Sequence, residues 1–266
     1  MMVWFASVLM LVFILVVYMW REAHLHRVVE DEVEVNGLPL SFDGSVILYV
    51  SDLHKRQLKQ EDLMPLLGQV DWVLIGGDVA EKGMLWSIVR RNMQLLTAIA
   101  PAFAVYGNHD KLAGTTQLAR IFQETGVRLL QDQVVSLQKR DSSIKLAGAD
   151  YRSHELSNHL TEKDRNECLI VLIHDPLQAK HVHDYADLIL SGHTHGGQLV
   201  FPFLGPLFLN KAYRNVSNGW YTLKKMNGDP NGKMLVSRGY GTNHLPLRLC
   251  CPAEMHKITL KSVNNK

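Results

Sequence analysis

The chain has 266 residues, with 28 Lys and Arg against 26 Asp and Glu, and 47% of its residues are hydrophobic. Nineteen Gly and nine Pro are ordinary numbers, which excludes low complexity, collagen-like repeats and wholesale disorder. A formal net charge of +2 is too near zero for a protein whose affinity rests on neutralising many phosphates, so nucleic acid is not an expected partner.

Met1 to Trp20 reads MMVWFASVLMLVFILVVYMW, with no charge and only Ser7 plainly polar. About 19 helical residues at about 1.5 Å each cover about 28 Å, close to the thickness of a bilayer core. A cleaved signal peptide would need a basic leading segment and a small-residue cleavage site, and WREAHLHR offers no such site. The expected organisation is therefore a transmembrane anchor over 1–20 and one catalytic domain over 21–266. Arg21 and Arg27 follow the span and no Lys or Arg precedes it, so the positive-inside rule places the body in the cytoplasm. Three cysteines, two of them the neighbours Cys250 and Cys251, fit a reducing compartment.

A polar linker is expected around Arg21–Arg27. Beyond it, short apolar runs typical of buried strands recur at Val46–Val50, Trp72–Ile75, Phe103–Tyr106, Leu169–Ile173 and Asp187–Leu190. Amphipathic segments at Gln57–Leu67, Leu85–Ala100 and Thr116–Thr125 lie between the early runs, which makes the chain an α/β layered protein. Val134–Lys139 and Ile144–Gly148 read as a hairpin, so the sheet is expected to be mixed. The last sixty residues read as loops with short strands at Met234–Ser237 and Lys257–Leu260.

The chemistry lies in the residues just past each apolar run. In order these are Ser51-Asp52-Leu53-His54, Gly76-Gly77-Asp78, Gly107-Asn108-His109-Asp110, His174-Asp175 and Gly192-His193-Thr194-His195-Gly196-Gly197-Gln198. Each piece alone is commonplace. Together they place carboxylate, amide and imidazole at the carboxyl ends of five strands, the edge where open α/β sheets bind ligands. Such groups crowded at one edge cost desolvation unless a cation pairs them. Oxygen and nitrogen donors without thiolate suit Mn²⁺, Zn²⁺ or Fe better than Ca²⁺, and the donor count implies two ions. Two ions about 3.5–4 Å apart can hold a bridging hydroxide and clamp a phosphoryl group for in-line attack.

The ordered set Asp52-x-His54, Gly77-Asp78, Gly107-Asn108-His109-Asp110, His174 and Gly192-His193-Thr194-His195 resembles the calcineurin-like metallophosphoesterase family over residues 52–195. The resemblance implies a two-sheet mixed β-sandwich flanked by helices, with a dimetal centre at the strand ends and Mn²⁺ the favoured ion. By the same resemblance Asp52, His54 and His195 hold the first metal, Asp78 bridges, and Asn108, His174 and His193 hold the second. His109 matches the family's non-ligand histidine that assists the leaving group, with Asp110 orienting its ring; Asp110 also reads simply as a turn residue or helix cap. No arginine follows Gly77-Asp78 in Val79-Ala80-Glu81-Lys82-Gly83, which argues against a protein phosphatase. Lys55 and Arg56 read either as substrate-facing cations or as a solvated loop.

Pro202-Phe203-Leu204-Gly205, Ser237-Arg238-Gly239 and Pro246-Leu247-Arg248 resemble bacterial membrane-associated members, which include phosphodiesterases and a UDP-2,3-diacylglucosamine pyrophosphatase of lipid A synthesis. The apolar run Leu199–Leu209 reads either as a buried strand and turn or as a greasy rim meeting acyl chains or bilayer. The leading expectation is a membrane-anchored dimetal phosphohydrolase acting on a phosphodiester or pyrophosphate, with a lipid-linked nucleotide as one concrete substrate. The alternatives are a cyclic-nucleotide or general phosphodiesterase and a non-catalytic, metal-stabilised membrane scaffold.

Overall fold

The computed structural model describes residues 1–161, 164, 167–224 and 232–263. Its first half runs α1 (Met2–His24), β1 (Val28–Val35), β2 (Val46–Val50), α2 (Gln60–Leu63), β3 (Trp72–Ile75), α3 (Trp86–Thr97), β4 (Ala102–Ala104), α4 (Asn108–Ala113), α5 (Thr115–Thr125) and β5 (Arg128–Leu129). The second half continues with β6 (Gln133–Lys139), β7 (Ser142–Gly148), α6 (Leu156–His159), β8 (Leu169–Leu172), β9 (Leu188–Ser191), β10 (Val200–Phe201), β11 (Gly205–Pro206), β12 (Gly219–Leu223), β13 (Gly232–Val236) and β14 (Met255–Ser262).

Two six-stranded mixed sheets stack face to face, in the orders β1-β14-β2-β3-β4-β5 and β12-β13-β9-β8-β7-β6. The central strands are apolar on both faces because both faces are covered. On β2, Ile47 and Tyr49 enter the core between the sheets while Leu48 and Val50 meet α3 and α5 on the outside. The second sheet repeats this: Ile170, Leu172, Leu188 and Leu190 face the centre, and Leu169, Val171 and Ile189 pack outward against Leu156, Ala179 and Val182. The expected two-sheet mixed α/β architecture is the one observed.

Differences from the sequence reading have local causes. The helix expected over Gln57–Leu67 is one turn of α2 followed by a 3-10 turn at Met64–Leu66, because Pro65 cannot continue an α-helix. Strand β1 falls in VVEDEVEV, whose four acids disguise an edge strand paired in parallel with β14. The linker expected around Arg21–Arg27 is helical through His24. Arg56 accounts for that extension: its guanidinium donates to the carbonyls of Ala23, His24 and Leu25 at 2.7, 2.9 and 2.8 Å, satisfying the helix end with a cation. Arg56 thus serves the joint between α1 and the body.

The edge of the first sheet is tied down by a buried ion network. His256 on β14 bonds Asp31 on β1 at 2.8 Å, Trp220 of the opposite sheet donates to Asp31 at 3.0 Å, and Glu254 lies 3.4 Å from His256 and 2.9 Å from Arg238. Burial works to lower the His256 pKa, but the bonds to Asp31 and Glu254 outweigh it and raise it above 6.5. Burial likewise opposes the Glu254 charge, yet His256 and Arg238 hold its pKa at about 2 against 4.5. The His256 contribution is complete below 6.5 and lost as pH rises through the elevated value. The Glu254 contribution is complete above 4.5 and lost as pH falls toward about 2. His256→Gln should therefore cost about 3 kcal/mol near pH 6, measured by chemical denaturation, and the cost should shrink on the alkaline side. A cost that grows with rising pH would contradict this assignment.

Candidate active site

The parallel strands β2, β3 and β4 of one sheet and β8 and β9 of the other end at a common edge. Past those ends the chain turns sharply: Asp52, His54, Asp78, His193 and His195 all adopt positive φ, at 55°, 47°, 52°, 71° and 51°. Such conformations cost about 1–3 kcal/mol each in non-glycine residues and persist only where surroundings enforce them. The enforcement is backbone pairing, with Asp52 N donating to Gly77 O at 3.0 Å and His54 N to Asp78 O at 2.9 Å. Gly107 is required by close approach, since a Cβ there would collide with the Asp78 carboxylate.

Three clusters of donor atoms result: Asp52 with His54 and His195, His54 with Asp78 and His109, and Asp78 with His174 and His193. His54 Nε2 lies 3.0 Å from His195 Nε2, and His195 Nε2 lies 3.5 Å from Asp52. On the other side His174 Nε2 lies 3.3 Å from Asp78, 3.1 Å from His193 Nδ1 and 3.1 Å from Asn108 Oδ1. Asn108 Oδ1 is also 2.9 Å from His193 Nδ1. All seven side chains assigned as ligands from the sequence converge here, and Asp78 stands between the two halves.

The His174 ring is oriented from behind. Its Nδ1 meets the Gly76 carbonyl at 2.8 Å, which fixes a proton there and turns Nε2 toward the cluster. Burial pushes Asp52 up to about 6 against the pull of His174. Burial also disfavours charge on His174 and Asp78, but their mutual attraction wins, raising His174 to about 10 and holding Asp78 well below the carboxylate range. Burial takes His54 down to about 3 and His193 to about 4, leaving neutral rings with free lone pairs. Neutral imidazole nitrogens 3.0 Å apart, a buried and unpartnered His54 Nδ1, and carboxylates balanced by one imidazolium form a donor set short of positive charge. Divalent cations fit that set, and their binding would displace the His174 proton.

His109 is half-buried, with its ring edge-on to His54 at 4.7 Å between centroids, and its backbone N–H donates to Asp78 Oδ1 at 2.7 Å. Asp110, expected to orient that ring, does something else. Its carboxylate accepts from the backbone N–H groups of Asp78, Ala80 and Gly107 at 2.7, 2.8 and 2.9 Å, welding the two loops together from the start of α4. The helix-cap reading of Asp110 describes its contacts better.

Several neighbours carry no motif signal. Glu81 Oε2 is 3.8 Å from the orphaned His54 Nδ1, and its Oε1 is 3.4 Å from exposed Lys55. Tyr151 and Tyr213 flank His193 at 6.2 and 5.3 Å between ring centroids, and the Tyr213 hydroxyl donates to Asp175 at 2.9 Å. Arg248 is fully buried behind His195. A charged residue inside the apolar run Leu247–Cys251 was the available hint.

Comparison with known proteins agrees with this geometry. The family model for calcineurin-like phosphoesterases matches residues 45–197. The protein YpbG of Bacillus subtilis is 33% identical over 221 residues, covering 80% of each chain. The phosphodiesterase YaeI of Escherichia coli is 27% identical over 80% of this chain and 81% of its own. Among solved structures, a 5'-nucleotidase precursor from Thermus thermophilus superposes with a TM-score of 0.52 at 14% identity, which speaks to the fold alone. That match covers 74% of this chain, which spans about half (49%) of the nucleotidase's length.

Proposed function

The chain belongs to the calcineurin-like phosphoesterase family, and from that premise we propose a membrane-anchored two-metal hydrolase that cleaves a phosphodiester or pyrophosphate bond. It is a metal-dependent phosphoesterase by family; the number of ions, the bond and the anchor are our reading. The carrying observation is Asp78, a buried carboxylate shared between the cluster with His54 and the cluster with His174 and His193. Asp52, His54 and His195 would hold one ion, Asn108, His174 and His193 the other, and Asp78 both. Mn²⁺ is the first candidate, given oxygen and nitrogen donors.

When bound, two such ions supply a water made nucleophilic at neutral pH and neutralise charge on the phosphoryl oxygens. The protein's own contributions are positional. The Gly76 carbonyl fixes the His174 tautomer, the His109 N–H fixes one oxygen of Asp78, and Asp110 locks the loops that carry both. The rings of Tyr151 and Tyr213 stand beside His193, 6.2 and 5.3 Å from it between centroids. The half-buried His109 ring, edge-on to His54, would stand beside a leaving alkoxide or phosphate oxygen and serve it as the general acid.

The apolar helix over Val3–His24 supports an anchor, and Arg21 and Arg27 favour a cytoplasmic body. An anchored site favours a lipid-linked substrate, of which UDP-2,3-diacylglucosamine is the concrete case, and a relative named as a phosphodiesterase supports the diester chemistry. The test is a panel of p-nitrophenyl esters, cyclic nucleotides and UDP-2,3-diacylglucosamine, assayed with Mn²⁺, Zn²⁺ and chelator. Chelator-sensitive diester or pyrophosphate cleavage is expected. His109→Ala should lower kcat by about 10²–10⁴-fold while bound metal, read by elemental analysis, stays unchanged. Metal loss in that variant would make His109 a ligand instead.

A further inference from the structure

The apolar run of α1 ends at Trp20, and the body takes hold of the helix at that point. Arg248 N donates to Met19 O at 3.0 Å and Ala253 N to Glu22 O at 3.3 Å. No free linker separates the membrane boundary from the body, so a bilayer crossed by α1 meets the body's surface where residues 248–253 lie.

The same surface carries the densest run of exposed apolar side chains outside α1 among the described residues. Leu249, next to Arg248, bridges Leu199, and Val200 N donates to Leu249 O at 2.9 Å. From there the β10–β11 hairpin presents Phe203, Leu204 and Phe208 at 108%, 86% and 75% exposure, with Phe201 and Leu207 beside them. The Gln198 amide donates to the carbonyls of Asn243, Leu245 and Leu247, fastening exposed Leu245 to the hairpin's base. Beside them lies a cavity of about 560 Å³ whose lining includes His193 and His195 together with Leu199, Phe208, Leu209 and Leu245. Exposed apolar clusters of this kind mark surfaces that meet lipid or protein. Continuity with the anchored end of α1 selects lipid.

We propose that the β10–β11 hairpin and Leu245 form a second membrane contact on the bilayer face that α1 reaches at Trp20. The cavity beside His193 and His195 then opens toward lipid and takes the hydrocarbon part of an amphiphilic phosphoester directly from the bilayer. This route rests on the anchored-phosphohydrolase reading above; the lipid contact itself does not depend on turnover.

Two measurements on the full chain in phospholipid nanodiscs test it. In a Cys250→Ser background, an environment-sensitive fluorophore is attached at Phe203→Cys, and at Leu40→Cys as the exposed control in the 3-10 turn beside the far end of β14. Quenching by dibrominated phospholipid should be strong at 203 and absent at 40. The double variant Phe203→Asp/Leu204→Asp should lose about tenfold in the rate on UDP-2,3-diacylglucosamine held in the disc, with bis(p-nitrophenyl) phosphate hydrolysis unchanged. Equal quenching at both positions, or equal loss on both esters, overturns the inference. A protein that is quenched at 203 but hydrolyses neither ester keeps the lipid contact and sinks the phosphohydrolase reading instead.

Discussion

Asp78→Asn should abolish turnover while leaving the chain folded. The substitution keeps the shape of a side chain that is 2% exposed and removes the charge that His174, at 3.3 Å, and His54, at 3.8 Å, both face. Outer-shell partners of metal ligands cost about 10–100-fold when lost, so a carboxylate that the two-ion proposal has both ions share should cost more than about 10²-fold in kcat/KM. One amide oxygen cannot serve both halves. The amide also withdraws the charge that keeps His174 protonated in the ion-free protein, so the proton released on metal addition should fall as well. Metal titration with a pH indicator, alongside the diesterase assay, reads both effects. Wild-type turnover in Asp78→Asn would remove the basis for two ions.

The metal cluster was legible and its surroundings were not because the two depend on different things. Strands β2 and β3 are buried on both faces, so Val46–Val50 and Trp72–Ile75 stand out as apolar runs, and the polar residues after them can only be strand ends. Five such ends in one order are information the linear sequence holds. Contacts made by backbone are information it does not hold. Asp110 bonds three N–H groups whose positions depend on the positive φ of Asp78 and the close packing of Gly107. Likewise Arg56, two residues past His54, reads either as a substrate-facing cation or as part of a solvated loop, whereas the carbonyls at the end of α1 claim it. The Leu199–Leu209 run stayed ambiguous because composition alone does not separate a buried strand from an exposed rim; the exposure of Phe203 and Leu204 decides it.

Arg248→Met is expected to be the most destabilising single change in the body. The guanidinium is fully buried and has no carboxylate partner among its hydrogen bonds. Instead it donates to the carbonyls of Arg238 at 2.7 Å, Gly239 at 3.1 Å, Gly241 at 2.7 Å, Cys251 at 3.0 Å and His195 at 3.5 Å. Burial draws its pKa below 12.5, which leaves it a cation whose charge is met by backbone oxygens, of which those of Gly239 and His195 also accept from Glu254 N and Gln198 N. Three of those oxygens, on Arg238, Gly239 and Gly241, belong to the loop that covers Asp52: Tyr240 N donates to Ser51 O at 3.0 Å and Gly241 N to Asp52 O at 2.7 Å. Met fills similar volume and supplies no donor, so several buried carbonyls lose partners at about 1–3 kcal/mol each, and a loss of about 3–5 kcal/mol in denaturation is expected. Arg248→Lys separates folding from positioning. An ammonium on a flexible stem reaches fewer of these carbonyls than a planar fork, so the Lys variant should fold yet bind Mn²⁺ about 10–100-fold more weakly. Because the backbone N–H of Arg248 also holds Met19, the residue couples the end of α1 to the loop over Asp52. If the Met variant unfolds at the wild-type denaturant midpoint, that coupling is not made through Arg248.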